Sequence, residues 1–301
     1  MKSVTSKPTT LRRASATARV KASADAVARM RANDLPKKDV LVVARVAGVT
    51  AAKNTPDLIP YCHPIPVDSV EIDFVLGEAT IDITATVEAI WKTGVEMEAL
   101  TAATAAALTV YDMLKPVDTN LEISSVRLVE KRGGKSDFRE RIPEGFVASV
   151  IVTSDGTHAG TRKDRSGQVI RERLESFGID TRYHIVPDDA DRIESLVRNE
   201  IDTGASLVLT TGGTGLGPRD VTVEATRPII EREIPGVMEA SRSHGQSRTP
   251  YAMLSRGLAG VCGGSIIVNL PGSSKGATEA LDAIFPAILH GFAMIRGGGH
   301  G

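Results

Sequence analysis

The strongest constraint on this chain is a change of hydrophobic rhythm near its middle. Val70, Ile72, Phe74 and Leu76 alternate with Ser69, Glu71 and Asp73. After Gly77 and Glu78 the alternation resumes, with Ile81, Ile83, Ala85, Val87 and Ala89 set against Asp82, Thr84, Thr86 and Glu88. Period two on both sides of a short turn predicts a hairpin of half-buried strands. The second half behaves differently. Residues 147–153, 206–210 and 265–270 are continuous apolar runs, and the last two lead into glycine loops. Strands apolar on both faces need cover on both faces. One sheet cannot satisfy both rhythms. The chain therefore predicts an α+β domain with an antiparallel sheet, followed by an α/β three-layer sandwich with a mostly parallel sheet. The length of 301 residues fits two domains at roughly 150 residues each. The segment KRGGKSDFRERIPEG, charged and rich in glycine, marks the join. The expected boundaries are 1–138, a linker at 139–146, and 147–301.

The coarser elements follow. Residues 94–114 read as one Ala-rich helix stopped by Pro116, and 40–46 and 121–129 read as further strands. The second half alternates helices at 166–177 and 190–201 with a strand at 181–186, and ends on a helix spanning 277–295. The first 22 residues carry Lys2, Lys7, Arg12, Arg13, Arg19 and Lys21 and no acid, a composition of transit peptides or loose arms. The tail at 297–301 reads as a loose end.

Lys+Arg 36 against Asp+Glu 37 leaves a net charge of -1, which excludes a broadly basic nucleic-acid binder. No apolar run approaches the ~18 residues of a membrane span. Cys62 and Cys262, one in each half, cannot make a disulfide scaffold, so the expectation is reduced thiols in the cytoplasm. The 28 glycines matter by position: several follow apolar strands, where backbone amides can meet an anion.

In the first half, Tyr61-Cys62-His63-Pro64 joins a thiol to an imidazole, but no second Cys or His stands at metal-ligand spacing. Cys62 reads as a small apolar residue, and His63 as either an acid/base group or a structural histidine. Asp112 and Lys115, at i and i+3, share a helix face, as a surface ion pair or as a proton-moving pair. Glu96 and Glu98 suit the first turn of a helix by the dipole alone. Lys37, Lys38, Lys131 and Lys135 can cradle a polyphosphate, or simply be solvated.

These residues lie in the runs KKDVLVVARVAGVTAAKNTPDLIPYCHPI, KTGVEMEALTAATAAALTVYDMLK and VRLVEKRGGKS. Together they resemble cyclic pyranopterin monophosphate synthases of molybdenum cofactor biosynthesis, over residues 4–138. The N-terminal arm fits that family too, which reverses the transit-peptide reading. The resemblance implies a ferredoxin-like α+β fold and an oligomer with sites at subunit interfaces. It also implies conversion of a cyclised dihydro-GTP to cyclic pyranopterin monophosphate with release of pyrophosphate. It assigns Lys37, His63, Asp112 and Lys115 to catalysis. Arg12, Cys62, Pro64, Glu96, Met97, Glu98 and Lys135 are assigned to substrate. Within that frame Lys115 is expected as the acid/base, kept partly neutral by neighbouring cations, with Asp112 positioning it. Ser3, Lys38 and Asp137 depart from the family's usual Asp, Gly and Gly.

In the second half, Thr211-Gly212-Gly213-Thr214-Gly215-Leu216-Gly217-Pro218-Arg219-Asp220 follows an apolar strand without the Gly-Lys-Ser/Thr of a Walker loop. It reads as a mobile turn or as a phosphate loop, with Asp220 holding Mg²⁺. Asp164 and Asp188 read as helix caps. With SVIVTSDG, DRSG, VPDD and NLPGSSKG, the segment resembles molybdopterin adenylyltransferases and their molybdopterin-binding relatives, over residues 147–296. Val223 and Ser274 depart mildly from it. The resemblance implies attack of the molybdopterin phosphate on the α-phosphate of ATP, with Mg²⁺. It assigns Asp188 and Asp220 to catalysis and Gly212, Gly213, Thr214 and Gly215 to phosphate. Ser273 and Lys275 go to the pterin end, and Asp164 and Ser166 to substrate. The alternative is a second domain that only binds molybdopterin or drives oligomerisation. The two steps are not consecutive, since sulfur enters between them. The resemblances imply hexamers for the first domain and trimers for the second, so a homo-oligomer with threefold symmetry suits both.

Overall fold

The computed structural model describes residues 1–134, 137 and 140–297. Lys135 and the tail at 298–301 lie outside the described residues. The chain separates into two compact units, residues 1–138 and 139–301.

The first unit runs β1 (Thr10–Lys21), α1 (Ala24–Arg31), α2 (Val40–Lys53), α3 (Thr55–Leu58), β2 (Ser69–Leu76), β3 (Thr80–Trp91), α4 (Glu96–Leu114) and β4 (Glu122–Arg132). The sheet order is β2-β3-β1-β4, antiparallel throughout. The β2–β3 hairpin forms as the alternation requires, with Ile72, Ile81, Ile83, Ala85 and Val87 turned inward. The N-terminal segment is no loose arm. β1 lies between β3 and β4, and its inward face is Ala14, Ala16, Ala18 and Val20. Those small side chains let α4 pack close, through Ala99, Ala102, Ala103, Ala106 and Ala107, all fully buried.

The strand expected at 40–46 is a helix. Val40, Ala44, Gly48 and Ala52 are buried at spacing four, while Val42, Val43 and Val46 face outward. The β-branched run is only the first part of a longer period that β-propensity does not reveal. A Cβ on Gly48 would stand 3.0 Å from the Ala102 carbonyl, so glycine lets α2 approach α4.

The second unit runs β5 (Val147–Thr153), α5 (Asp155–His158), α6 (Ser166–Glu175), β6 (Asp180–Val186), α7 (Ala190–Asp202), β7 (Leu207–Thr211), α8 (Thr222–Thr226), β8 (Arg232–Glu233), α9 (Pro235–Gln246), β9 (Ala259–Cys262), β10 (Ser265–Leu270), α10 (Ser274–Ile284) and α11 (His290–Ile295). The sheet order is β6-β5-β7-β10-β9-β8; the first four are parallel, and β9 runs antiparallel to both β10 and β8. One core joins Val150, Leu209 and Val268 to α6, α9, α10 and α11; the other joins Ile151, Val208 and Ile267 to α7 and α8. This is the expected three-layer arrangement. Within the stretch expected as a linker, Phe146 is buried and Ile142 packs against the first of these cores. The last helix is broken: α10 stops at Ile284, and Pro286 cannot continue it, having no N–H and a ring that clashes with the preceding turn. No single helix among the described residues is long and apolar enough to cross a membrane.

Candidate functional sites

The expected residues of the first unit fall into two groups. At the carboxyl end of α4, Asp112 stands between two lysines. Lys37 donates to its Oδ2 at 2.5 Å, and Lys115 lies 2.7 Å from its Oδ1. Lys37 also reaches the Asp112 carbonyl at 3.0 Å. These hydrogen bonds, first from Lys115 and then from Lys37, hold the Asp112 carboxyl down to about 2. The same contact pushes the Lys115 ammonium up. That corrects the expectation of a partly neutral lysine: its nearest charge is an anion, so Lys115 is a firm cation.

The second group surrounds the start of α4. Arg12 is buried and donates to the carbonyls of Trp91 at 3.0 Å and Lys92 at 3.4 Å. Burial pulls its pKa down, against the pull of Glu96 and Asp137. Lys131 donates to Glu96 at 2.7 Å. With Lys7 and Gly134 these residues line a cavity of about 340 Å³. Glu98 is not in that cavity; it is buried, and burial pushes its carboxyl up. Cys62 is only partly buried, and burial raises its thiol, with the Glu98 charge adding to the effect. His63 and Pro64 follow in an irregular stretch, His63 half-buried and Pro64 exposed. Met97 lines a shallow apolar groove with Leu58, Leu100 and Leu108.

The two groups are far apart. Glu96 and Asp112 are sixteen residues apart on one helix, about 24 Å at 1.5 Å per residue. No side chain spans that gap.

The second unit gathers its residues instead. The loops after β5, β7 and β10 enclose a cavity of about 780 Å³, where ligands of parallel sheets sit. Asp164, Ser166, Asp188, Gly212, Gly213, Asp220 and Ser273 all line it. Gly212 and Gly213 take φ of +104° and +60°. A Cβ on Gly212 would meet the Thr153 carbonyl at 2.3 Å, so only glycine fits there. Asp155 and Asp188 are locked reciprocally, each backbone N–H donating to the other's carboxylate at 3.0 Å. Arg219 donates to Asp155 at 2.6 Å and holds that carboxyl down. Burial raises Asp188, with Asp155 and Asp220 adding to it. Asp220 Oδ2 accepts from Gly217 N–H at 2.7 Å.

Asp188 is not the cap of α7. Asp189 is, accepting from Arg192 N–H at 3.0 Å, which leaves the Asp188 carboxylate on the cavity. The N-cap position of α6 is Arg165, not Asp164; Asp164, one residue earlier, accepts from the Gly167 and Gln168 N–H groups of the first turn and also takes the Tyr183 hydroxyl. Thr214 and Gly215 do not line the cavity; Thr214 is buried and the Gly215 carbonyl accepts from Arg256 at 2.6 Å. Lys275 lines a neighbouring cavity. Sequence reasoning passes over Arg219, Arg162 and Lys163 as site residues, although all three line the cavity. The run RKDR around Asp164 is the signal that points to Arg162 and Lys163, and Arg219 stands directly before Asp220.

Among the described residues no cluster of three or more His, Cys, Asp or Glu forms a ready-made metal cage. Mg²⁺ does not need one: it binds one or two carboxylates and completes its shell with water and substrate phosphates. Asp188 and Asp220, on the same cavity wall as the glycine amides, fit that mode.

Comparison with known proteins agrees with this division. The MoaC family profile matches residues 1–134, and the profile described as "Probable molybdopterin binding domain" matches 149–290. A molybdenum cofactor biosynthesis bifunctional protein of Chlorobaculum tepidum is 44% identical over all of this chain and 96% of its own. Another, from Synechococcus elongatus, is 38% identical over 98% of this chain and 97% of its own. The crystal structure of the molybdopterin biosynthesis enzyme MoaB from Thermus thermophilus is 44% identical, covers 50% of this chain and 97% of its own, and has a TM-score of 0.48. A chain with a MoaC unit in front and a molybdopterin-binding unit behind, similar along its whole length to two such proteins, belongs to the bifunctional molybdenum cofactor biosynthesis proteins.

Proposed function

We propose that the first domain converts the cyclised dihydro-GTP to cyclic pyranopterin monophosphate and pyrophosphate. Its order, a strand, three helices, two strands, a helix and a strand, keeps the β-α-β-β-α-β pattern with extra helices in the first crossover and supports the ferredoxin-like reading of that domain. The observation that carries the activity is the Lys37–Asp112–Lys115 cluster. A protonated Lys115 is a proton donor for ring opening, and Asp112 fixes its position. Arg12 and Lys131, with Lys135, neutralise the triphosphate and the departing pyrophosphate. Because the two groups stand about 24 Å apart on α4, each site takes one group from each of two copies. The outward Val42, Val43 and Val46 of α2 and Leu108 of α4 offer apolar surface for that contact. A hexamer or trimer of this chain satisfies the requirement.

The second domain, in this proposal, adenylates molybdopterin with ATP. The glycine loop Gly212–Gly213 beside Asp188 and Asp220 is the observation that supports it. Backbone amides would hold phosphate oxygens, and the two carboxylates would hold Mg²⁺, which neutralises charge on the transferred group. Arg219, Arg162 and Lys163 add cations around the phosphates. The lysines around Asp112, the cations lining the large cavity and the near-neutral net charge agree with local recognition of phosphate, not a global basic field.

The test is a pair of assays on one protein. Lys115→Ala should cut cyclic pyranopterin formation at least a thousandfold and leave adenylyl transfer unchanged. Asp220→Ala should do the reverse, by at least a hundredfold. Adenylyl transfer absent from the unmodified protein, with molybdopterin still bound, would reduce the second domain to a binding and oligomerisation module.

A further inference from the structure

The glycine loop at 214–220 is gripped by a side chain that does not line the cavity. Leu216, Gly217, Pro218 and Arg219 are exposed, so apolar packing does not fix this stretch. On the cavity side Arg219 ties it to Asp155. The other hold comes from Arg256, in the segment before β9. The Arg256 backbone N–H donates to the Thr214 carbonyl at 3.0 Å. Its Nε donates to the Gly215 carbonyl at 2.6 Å, and its Nη2 to the Asp220 carbonyl at 2.7 Å. Nη1 pairs with Glu224, in the first turn of α8. One arginine thus holds both ends of the loop, and α8 holds the arginine. Arg256 is not among the residues that line the large cavity, so it reaches a ligand there only through the loop.

That grip bears on Asp220. Its Oδ2 lies in the curl of the loop: Gly217 N–H donates to it at 2.7 Å, and a Cβ on Gly215 or Gly217 would stand 2.9 Å from it. The carboxylate therefore goes where the loop backbone goes. Asp220 also stands close enough to Asp188 to help raise that carboxyl, so a small displacement changes how the pair can share a cation. A guanidinium suits the task. It is a planar fork with donors in fixed directions, and here two of its nitrogens meet carbonyls of residues 215 and 220 while the third meets a carboxylate. An ammonium carries the same charge at one point and cannot hold all three in that geometry.

We propose that Arg256 is a positioning residue for the divalent cation of the second domain: from outside the cavity it fixes the loop that carries Asp220, and so sets where that carboxylate meets a cation on a nucleoside triphosphate. The proposal rests on the reading of Asp220 as a ligand of Mg²⁺. It assigns the effect to the shape of the guanidinium, not to its charge.

The test is calorimetric titration of the full-length protein with ATP, once in EDTA and once with saturating Mn²⁺. In the unmodified protein Mn²⁺ should tighten ATP binding at least tenfold. Arg256→Lys keeps the charge and loses the fork. It should bring the two affinities within about threefold, while ATP in EDTA binds within about twofold of the unmodified protein. That second value shows the site still folded. Arg256→Ala should lose the gain from Mn²⁺ as well, and ethylguanidinium should restore it where ethylammonium does not. A gain from Mn²⁺ kept in Arg256→Lys, an equal loss of both forms of ATP, or rescue by ethylammonium as good as by ethylguanidinium overturns the proposal. No gain from Mn²⁺ in the unmodified protein overturns the reading of Asp220 as a metal ligand, and the role of Arg256 falls with it.

Discussion

The two halves of this chain build their sites in opposite ways. The second unit closes its loops around one cavity, so that Asp164, Asp188, Gly212, Asp220 and Ser273 meet within a single copy. The first unit hangs its residues on the two ends of α4, with Arg12 and Glu96 near one end and Lys37, Asp112 and Lys115 at the other. A parallel sheet explains the first case: every strand delivers its carboxyl end to the same edge. An antiparallel sheet covered by one long helix has no such edge. Its helix ends point away from each other, and in the proposed reading a second copy brings them together. Under the proposed function, the contrast makes the first activity depend on assembly and the second on loop geometry.

That contrast is open to attack at several sizes of effect. The largest concerns loop geometry. Gly212→Ala puts a methyl 2.3 Å from the Thr153 carbonyl at φ +104°, and it should cut adenylyl transfer at least a hundredfold. Cyclic pyranopterin formation should stay within about twofold, measured on the same preparation. A parallel loss of both would mean that the halves are not independent.

The smallest effect concerns the frame of the first unit. Asp118 accepts from Ser23 N–H at 2.5 Å and from Asn120 N–H at 2.9 Å, and these bonds hold its carboxyl below the ordinary range. A depressed carboxylate stabilises the fold above its unfolded pKa of ~3.9, and that stabilisation is lost as pH falls through the lower folded value. Asp118→Asn should therefore destabilise the first unit by about 1–2 kcal/mol at pH 7. The gap from the unmodified protein should close below pH ~4. Denaturant titration at both pH values checks it, and a gap that widens with acid contradicts the assignment.

Much of this is legible in the sequence, for reasons specific to each element. The β2–β3 hairpin follows from strict alternation, and the two glycine loops follow from their place after apolar strands. Segment 40–46 misleads because six apolar residues, broken only by Arg45, look alike in a strand and in the first turns of a helix. Only Gly48 and Ala52, further on, reveal the period of four. The roles of Asp188 and Asp189 cannot be told apart in VPDD, because either can cap a helix; the backbone decides, and it gives the cap to Asp189. The Asp112–Lys115 pair is legible from its i, i+3 spacing, whereas Lys37, the second partner of Asp112, comes from a segment 75 residues away and only the fold brings it there.

The most direct measurement is a mixing experiment. Lys115→Ala and Arg12→Ala chains, each inactive in cyclic pyranopterin formation, are denatured together, refolded and assayed. If each first-domain site draws one group from each of two copies, mixed dimers contain one intact site and one doubly altered site. Activity should then return to about a quarter of that of the unmodified protein. Asp188→Ala and Asp220→Ala, mixed in the same way, should recover no adenylyl transfer, because their site lies within one chain. Failure of the first pair to recover, with both chains folded and assembled, would contradict the account.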